Sequence, residues 1–386
     1  MITIFWSALF FLLYPLIIYP ITLKIISLFY PTNEVTFDES YTPFITVVIS
    51  AFNEEKVIRK KLKNVFKSNY PKERLSVIVV SDQSTDSTDE IVEEFINSNP
   101  YISASLIVAP ERAGKTSAQN YAVKKINDES EIIVFTDANS FLREDSIRIL
   151  VNRFRDRSIA YVSGKLIYCD SSKSATHESE NHYWNLDLKI REWESAISST
   201  VGGNGALYAI RKTNYYDLPA LLSHDGFMPS RVVINGFKAK FEPRALAVEK
   251  TSSTITDEFS RKVRMQRGQP WKKYYDFSKF NIFKYGWFSY FYIGHKYLKY
   301  QLYFLHITVL ILNFLILEYG KFFLFLMLCQ LLFYCLSLVG FITKTKIKLF
   351  FFPFYYCMTI YAQFVAVVTT LTGRSKSIWN TDSSNR

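Results

Sequence analysis

Four long apolar runs, one near the start of the chain and three after residue 300, limit what this sequence can fold into. They cover residues 4–30, 301–317, 322–342 and 349–371. A helix needs about 20 apolar residues to cross the hydrocarbon core of a bilayer, and each run has roughly that length. No charged segment precedes the first run and no small-residue cleavage site follows it, so we expect residues 1–30 to be a retained transmembrane anchor. The sequence therefore predicts a multi-pass membrane protein with about three further helices within 301–371.

Basic residues flank these apolar runs. Lys and Arg number 46 against 35 Asp and Glu in 386 residues, which gives a formal net charge of +11. Basic residues beside spanning runs are typical of cytoplasmic anchors next to anionic lipid. The segment 276–300 interleaves aromatic and basic residues, which predicts a helix lying in the membrane interface. Such a segment could instead bind nucleic acid, but spanning runs follow it at once, so we expect no nucleic-acid partner.

The charges also bear on orientation. If the residues between the first two runs are cytoplasmic, the loop with Lys344, Lys346 and Lys348 is cytoplasmic too, as the positive-inside rule prefers. The polar tail, 372–386, then lies outside, which the rule disfavours because the tail also carries basic residues. The alternative that would remove this conflict is a late run that is re-entrant or interfacial, and Pro353 makes the last run the candidate.

The middle of the chain has the composition of a soluble domain. Continuous apolar runs at 44–50, 75–80, 105–108 and 131–136 are typical of strands buried on both faces. Helical periodicity separates them, and this alternation predicts an α/β domain with a parallel, doubly wound sheet. The following part is less regular. We expect there a strand at 162–166, a helix at 177–195, a glycine-rich turn and strand at 202–210, a helix at 224–236, and edge strands at 240–243 and 245–248.

Polar side chains follow three of the predicted strands, namely Asn53, Asp82 and Asp137. In open α/β sheets, ligands bind beyond the carboxyl ends of the strands. Asn139 lies two residues after Asp137, and a carboxylate with an amide oxygen could hold a divalent cation and, through it, a diphosphate. The alternative is that these residues only cap turns and helices, an interpretation that also applies to Asp86.

Several short motifs resemble, in this order, those of membrane-bound family 2 glycosyltransferases with a GT-A fold. They are AFNEE at 51–55, VVSDQSTD at 79–86, GK at 114–115, TDAN at 136–139, HD at 224–225 and RKVRM at 261–265. The resemblance covers roughly 44–275. It implies a GT-A domain, related to the Rossmann fold, between the membrane segments.

The resemblance also implies roles for individual residues. Those matching the nucleotide-binding motifs are Asn53, Glu55, Asp82, Lys115 and Asp137. Asp137 together with Asn139 would bind Mg²⁺ or Mn²⁺. Asp225 would be the general base that takes the proton from an acceptor hydroxyl.

Further residues match the motifs near the acceptor and the leaving group. Gly203 and Asn204 fall where acceptor and donor sugars meet. Arg264 and Arg267 could neutralise the leaving diphosphate.

Four positions, in three motifs, depart from the family pattern. Asn139 replaces a second metal-binding acid, and His224 replaces the acid that usually precedes the base. The segment 261–265 lacks the glutamine and the tryptophan of processive members, with Arg261 and Met265 in their places. That tryptophan stacks on the growing sugar chain, so its loss favours the addition of one or few sugars.

The expected function is inverting, metal-assisted glycosyl transfer from a nucleotide-sugar donor, UDP-linked by preference, to a lipid-linked or saccharide acceptor. It would take place at the cytoplasmic face of the cell membrane, in the biosynthesis of a cell-surface polysaccharide or glycolipid. One alternative is a processive polysaccharide synthase that also translocates its product, which product length would distinguish. Another is a non-catalytic membrane subunit that binds nucleotide sugar or saccharide, which the changes at Asn139 and His224 keep open.

Overall fold

The computed structural model describes residues 1–30, 37–169, 175–250, 255–266, 277–345, 347–375 and 378, with side chains at all of these except 175–184 and 277. The chain divides into two units. The sheet unit comprises Pro31–Cys169, Glu194–Ser253 and Lys376–Arg386, and the helical unit comprises Met1–Tyr30, Asp170–Trp193 and Thr254–Ser375. The division passes through one long helix, and it differs from the domain boundaries at 44 and 275 that the motifs predict.

The strands all belong to the sheet unit. They are β1 (Ile45–Ala51), β2 (Leu75–Ser81), β3 (Ser103–Val108), β4 (Ile132–Asp137), β5 (Phe141–Leu142), β6 (Ile159–Cys169), β7 (Leu207–Arg211) and β8 (Lys238–Lys250).

The described α-helices, in chain order, are α1 (Ile2–Leu13), α2 (Tyr19–Ser27), α3 (Ile58–Phe66), α4 (Thr88–Asn97), α5 (Lys115–Val123), α6 (Ser146–Asn152), α7 (Ala175–Ile197), α8 (His224–Ile234), α9 (Ile255–Gln266), α10 (Ile282–Tyr285), α11 (Trp287–Phe291), α12 (Leu302–Leu315), α13 (Lys321–Thr343) and α14 (Lys348–Leu371). Short 3-10 or π segments occupy Tyr14–Ile18, Lys72–Arg74, Arg153–Arg155, Lys212–Asn214, Phe277–Phe280, Tyr292–Tyr297, Leu298–Gln301 and Leu317–Tyr319.

The eight strands form one sheet in the order β3-β2-β1-β4-β7-β6-β8-β5. β1 pairs in parallel with both β2 and β4, and β2 pairs in parallel with β3. The predicted parallel, doubly wound half is therefore confirmed. β7 runs antiparallel to both β4 and β6, so the whole sheet is mixed.

The register of the parallel half brings the predicted ligand residues to one edge. Ala51 lies opposite Ser81, and Ser50 lies opposite Asp137. β1, β2 and β4 therefore end together, and the residues that follow them meet at the same edge of the sheet. The central strands are held by burial on both faces, since every residue of Ile132–Thr136 is buried. Each large aliphatic side chain removed from water in this way contributes about 1.5–3 kcal/mol.

The last long strand corrects one prediction. The sequence predicts two edge strands at 240–243 and 245–248, separated by Pro243, but the structure has a single strand, β8, that continues through the proline. Its register against β6 jumps from Glu242 to Leu246 opposite Gly164 and Lys165. A proline has no N–H to donate, and this irregularity accommodates it without ending the strand.

Among its described residues, the helical unit contains four helical runs that are long and apolar enough to cross a membrane: Ile2–Ser27, Trp287–Leu315, Lys321–Thr343 and Lys348–Leu371. The number of runs agrees with the predicted one anchor and three later helices. The second run begins at Trp287, so it includes part of the segment 276–300 that the sequence predicts to be interfacial.

One buried charge cluster in the helical unit joins α7 to the second apolar run. The carboxylate of Asp187 accepts hydrogen bonds from Arg191 at 2.7 Å, from His295 at 3.0 Å and from Lys299 at 2.9 Å. Burial acts to raise the pKa of Asp187, but the charges of Arg191, Lys299 and His295 hold it well below the usual range. Asp187 therefore stays ionised and fixes these elements of the helical unit to one another.

Candidate active site

The loops after β1 and β2 are tied together by side chains that the motifs single out. The Asn53 amide nitrogen donates to the Thr85 hydroxyl at 3.1 Å, and its oxygen accepts from the Thr85 N–H at 2.8 Å. The Glu55 carboxylate accepts from the Ser87 N–H at 3.3 Å. Both predicted nucleotide-binding residues thus shape the rim of the site through the neighbouring loop. Direct contact with a nucleotide remains a prediction for both.

Asp86 is the residue that caps α4. Its carboxylate accepts from the N–H of Thr88 at 3.0 Å and from the Thr88 hydroxyl, whereas Ser87 makes no capping bond with its side chain. The capping role that the sequence allowed for Asp86 is therefore confirmed.

Asp82 positions the loop that carries Lys115. Its two carboxylate oxygens accept from the N–H groups of Ala113 and Gly114 at 3.0–3.3 Å. Burial raises the pKa of Asp82, while these N–H groups and the Arg112 charge act in the opposite direction. Gly114 adopts φ +93°, a conformation that glycine favours, and it is immediately followed by α5.

Lys115 and Asp137 form an ion pair at the end of β4. The two side chains are 23% and 28% exposed, so the pair is accessible from solvent. A methyl group added to Gly205 would lie 2.9 Å from the Lys115 Nζ and 3.5 Å from an Asp137 oxygen. Three motifs that are far apart in the sequence therefore meet at one point.

Lys61 lies beneath this point, completely buried in α3. Its Nζ donates to the Thr136 hydroxyl at 2.7 Å and to the Ser140 carbonyl. Burial disfavours the charged form and lowers the pKa of Lys61 to about 7, although the Asp137 and Glu249 carboxylates act in the opposite direction. Sequence reasoning missed this residue. Lys61 lies three residues after Ile58 and four before Val65, which places it on the apolar stripe of the helix. A lysine at such a position is the sequence signal that could have identified it.

The predicted metal site at this edge of the sheet offers few protein ligands. The described part of the chain contains no group of three or more His, Cys, Asp or Glu placed to hold a metal ion. Asp137 and Asn139, both partly exposed, offer one carboxylate and one amide oxygen. Mg²⁺ is commonly bound by one or two carboxylates together with the phosphates of a substrate. The donor set therefore fits a cation that takes most of its ligands from a diphosphate.

The glycine turn before β7 joins the Lys115–Asp137 pair to the start of α8. The N–H of Gly203 donates to the carbonyl oxygen of Asp225 at 2.8 Å. A methyl group at Gly203 would lie 2.1 Å from the Tyr161 hydroxyl, so only glycine fits. The Asn204 amide is directed into the fold, where it donates to Gly164 and accepts from the N–H groups of Ala206 and Leu207. Asn204 thus shapes the turn, and an acceptor contact remains a prediction.

His224 and Asp225 begin α8, as the sequence predicts, but they face different surroundings. His224 is buried, while Asp225 is partly exposed. The His224 Nε2 lies 3.0 Å from the Asn120 amide oxygen, which can only accept, so this nitrogen carries the proton. Its Nδ1 then accepts from the Tyr208 hydroxyl at 3.2 Å. Burial, followed by the nearby Lys115 charge, lowers the pKa of His224 to about 3, so the ring is neutral at physiological pH.

The predicted arginines cannot be placed in this site. Arg264 lies in α9, which belongs to the helical unit, and Arg267 lies outside the described residues. Neighbouring Arg261 pairs with the buried carboxylate of Glu258 at 2.7 Å, and Met265 is 57% exposed. A role for either arginine at the diphosphate is therefore still a prediction.

Comparison with known families and curated proteins gives consistent matches. The family described as Glycosyl transferase family 2 matches residues 46–215, and the one described as Glycosyl transferase family group 2 matches residues 132–369, more than half of the chain. Probable glycosyltransferase YdaM of Bacillus subtilis (strain 168) is 29% identical over 58% of this chain and 55% of that protein. Poly-beta-1,6-N-acetyl-D-glucosamine synthase of Staphylococcus aureus (strain COL) is 23% identical over 66% of this chain and 64% of that protein. The chain thus spans between one half and two thirds of the length of these relatives.

A solved structure resembles the whole chain. Mannosyltransferase PcManGT from Pyrobaculum calidifontis, in complex with GDP-Man and Mn²⁺, aligns with a TM-score of 0.73 at 21% identity, covering 97% of this chain and 99% of that one. At this identity the similarity establishes the fold. The mixed eight-stranded sheet is therefore the core of a GT-A-like domain, as the motifs predict.

Proposed function

Because the chain belongs to the family 2 glycosyltransferases, we propose that it transfers a sugar from a nucleotide-sugar donor, by preference UDP-linked, to a lipid-linked or saccharide acceptor. The glycine turn at 203–205 carries the proposal. One end lies against the Lys115–Asp137 pair and the other is hydrogen-bonded to Asp225. Two residues span at most about 7 Å, so this turn, bonded to the main-chain carbonyl of Asp225, supports a site in which the donor end and the base end serve one reacting sugar.

The donor would bind along the edge where β1, β2 and β4 end. Asn53, Glu55 and Asp82 shape the rim for the nucleoside, and the Lys115 ammonium binds the diphosphate as its counter-charge. Asp137 and Asn139 would hold Mg²⁺ or Mn²⁺, and the bound cation would supply positive charge to the leaving diphosphate. Lys115 would thus serve the diphosphate, and Asp137 the cation that accompanies it. The PcManGT complex with GDP-Man and Mn²⁺ supports a donor and metal of this kind.

Asp225 would remove the proton from the acceptor hydroxyl, which then attacks the anomeric carbon with inversion. Its partly exposed carboxylate at the start of α8 is suited to this role. His224 is not an alternative base, because both ring nitrogens are engaged within the fold. Its hydrogen bonds instead fix the start of α8 and with it the position of Asp225. Arg264 and Arg267 would assist departure of the nucleoside diphosphate.

The four apolar helices support a reaction at the membrane. The basic loop with Lys344, Lys346 and Lys348 favours a cytoplasmic sheet unit. Synthesis of a cell-surface polysaccharide or glycolipid fits this location. The similarity to poly-beta-1,6-N-acetyl-D-glucosamine synthase favours a second candidate, processive polymer synthesis. Met265, in the place of the tryptophan of processive members, favours the addition of one or few sugars. The length of the product distinguishes the two candidates.

The test is nucleotide release by the full chain purified in detergent with membrane lipid extract as acceptor source. UDP- and GDP-sugars are each supplied with Mn²⁺ or Mg²⁺. We expect release with one donor class, and a reduction of about 10²–10⁴-fold in Asp225→Asn, the range that general bases contribute. Asp137→Ala should also lose release. Asp128→Asn is the matched control, because the Asp128 side chain is fully exposed.

The outcomes separate the classes of function. Full release by Asp225→Asn would exclude Asp225 as the base. Binding of UDP or GDP without release from any donor would favour the non-catalytic subunit. If the folded wild-type protein bound neither nucleotide, the assignment of the donor site would be wrong.

A further inference from the structure

The buried lysine of α3 holds both ends of the segment that carries the predicted metal ligands. The Lys61 Nζ donates to the hydroxyl of Thr136 and to the carbonyl of Ser140. Thr136 immediately precedes Asp137, and Ser140 immediately follows Asn139. One ammonium group therefore bridges the short turn on which both ligands lie.

The same face of α3 makes a second attachment one turn later. The Asn64 amide donates to the carbonyl of Leu142 and accepts from its N–H, both at 2.8 Å. On the other side, β5 pairs with β8 at Phe141 and Leu142, and the Ser140 hydroxyl donates to Glu249. The segment 136–142 is thus held by α3 and by β8, so its conformation is set by the surrounding fold.

A charged group at this position is costly for the fold. Removing an ammonium from water carries a penalty of several kcal/mol, which is repaid only by excellent geometry and additional hydrogen bonds. Lys61 is completely buried, and its two hydrogen-bond acceptors are uncharged. Groups that oppose stability in this way concentrate at functional sites. Lys61 thus holds the turn from its buried side, whereas Lys115, 23% exposed, pairs with Asp137 at the surface of the site.

We propose that Lys61 is a positioning residue for the diphosphate and metal end of the donor site. It fixes the turn between Thr136 and Ser140, so that Asp137 and Asn139 are held in place for binding. This inference rests on the proposed function, because it concerns the same site.

The experiment measures binding of UDP and GDP, each with Mn²⁺ or Mg²⁺, to the full chain in detergent. Lys61→Met keeps the length of the side chain and removes the charge and both hydrogen bonds. We expect the Kd of the nucleotide that the wild type binds to rise at least tenfold, with the thermal unfolding midpoint within a few degrees of wild type. In the release assay, the loss should fall mainly on the donor KM, with a smaller change in kcat.

Two variants on the same helix are controls. Lys60 is the exposed neighbour of Lys61, so Lys60→Met should bind nucleotide as the wild type does. Asn64→Leu removes the second attachment without changing the charge near Asp137. It should lower the unfolding midpoint more than Lys61→Met and raise the Kd less.

Each result is decisive. Wild-type affinity in folded Lys61→Met would overturn the positioning role while leaving the proposed function intact. If Lys61→Met does not fold, Lys61→Gln, which retains a donor N–H without charge, replaces it. Failure of both to fold would show that the lysine serves stability alone and would overturn the proposal. A folded wild type that bound neither nucleotide would remove the proposed function, and this inference with it.

Discussion

The two halves of the eight-stranded sheet contribute to the candidate site by different means. In the parallel half, the site consists of side chains at strand ends, chiefly Asp82 and Asp137, with Lys115 at the start of α5. In the mixed half it consists of a backbone turn, 203–205, and the first turn of α8. Substitution of a side chain in the parallel half can change the chemistry of the site while the fold persists. Substitution in the tightly packed turn disturbs the fold and the chemistry together.

Strand direction explains the difference. β1, β2 and β4 run in parallel, so their carboxyl ends share one edge. β7 runs antiparallel to β4, and its first residue, Leu207, lies opposite Thr136 near the end of β4. The start of β7 therefore lies at the same edge as the end of β4. In the parallel half this edge carries the polar residues that follow strands, whereas in the mixed half it carries the glycines that precede β7.

The largest effect that this comparison predicts is at Gly203. In Gly203→Ala the added methyl group would lie 2.1 Å from the Tyr161 hydroxyl and 3.0 Å from that of Ser163. We expect a loss of roughly 2–3 kcal/mol in the free energy of unfolding and loss of nucleotide release. Thermal unfolding in detergent measures the first effect. Adding Tyr161→Phe removes the nearest clashing atom and should restore more than half of the stability. Wild-type stability in the single variant would contradict the comparison.

A smaller effect is expected at Gly205, where the turn meets the parallel half. The atom nearest to a new methyl group is the Lys115 Nζ, the mobile end of a flexible side chain. Gly205→Ala should therefore keep its unfolding midpoint but displace Lys115. We expect nucleotide affinity to fall about ten- to hundredfold, or about 1.4–2.7 kcal/mol. Lys115→Met should cause a similar loss, and the double variant little more. A loss of stability as large as that in Gly203→Ala would remove the distinction between the two ends of the turn.

The smallest effect concerns His224 and pH. Its folded pKa is about 3 and its ordinary value is 6.5, so between these values the unfolded chain binds a proton that the folded protein does not. The contribution of neutral His224 to the free energy of unfolding is therefore complete above about pH 6.5 and is lost progressively as the pH falls towards 3. Between pH 7.5 and 5.5 it accounts for a loss of about 1.4 kcal/mol. His224→Gln should therefore lose less stability over this interval than wild type, as unfolding at the two pH values would show. Equal losses in the two proteins would indicate that His224 is protonated in the fold.

The sequence predicted the parallel half well because its signals are local. Continuous apolar runs, each followed by a polar residue, located β1, β2 and β4 and the edge at which they end. The helix start at His224 was also predicted correctly.

Features that depend on distant parts of the chain were missed. Lys61 contacts Thr136, 75 residues away, and nothing in the sequence near α3 reveals that partner. Pro243 indicated a break between strands, whereas pairing with β6 carries β8 through it. The contacts of the Asn204 side chain with Gly164, Ala206 and Leu207 were likewise not predicted from the sequence.

The order of strands along the chain has a consequence for how the site is assembled. β1 to β4 are all contained within Ile45–Asp137, so the parallel half can pair completely while the rest of the chain is still being synthesised. The mixed half must wait, because β6 pairs along its length with β8, which ends at Lys250. Donor-side residues can therefore be in place before the glycine turn and Asp225 have been translated. Folding would end with closure of the half that supplies the base, so an incomplete chain would hold the donor edge without the group that starts the reaction.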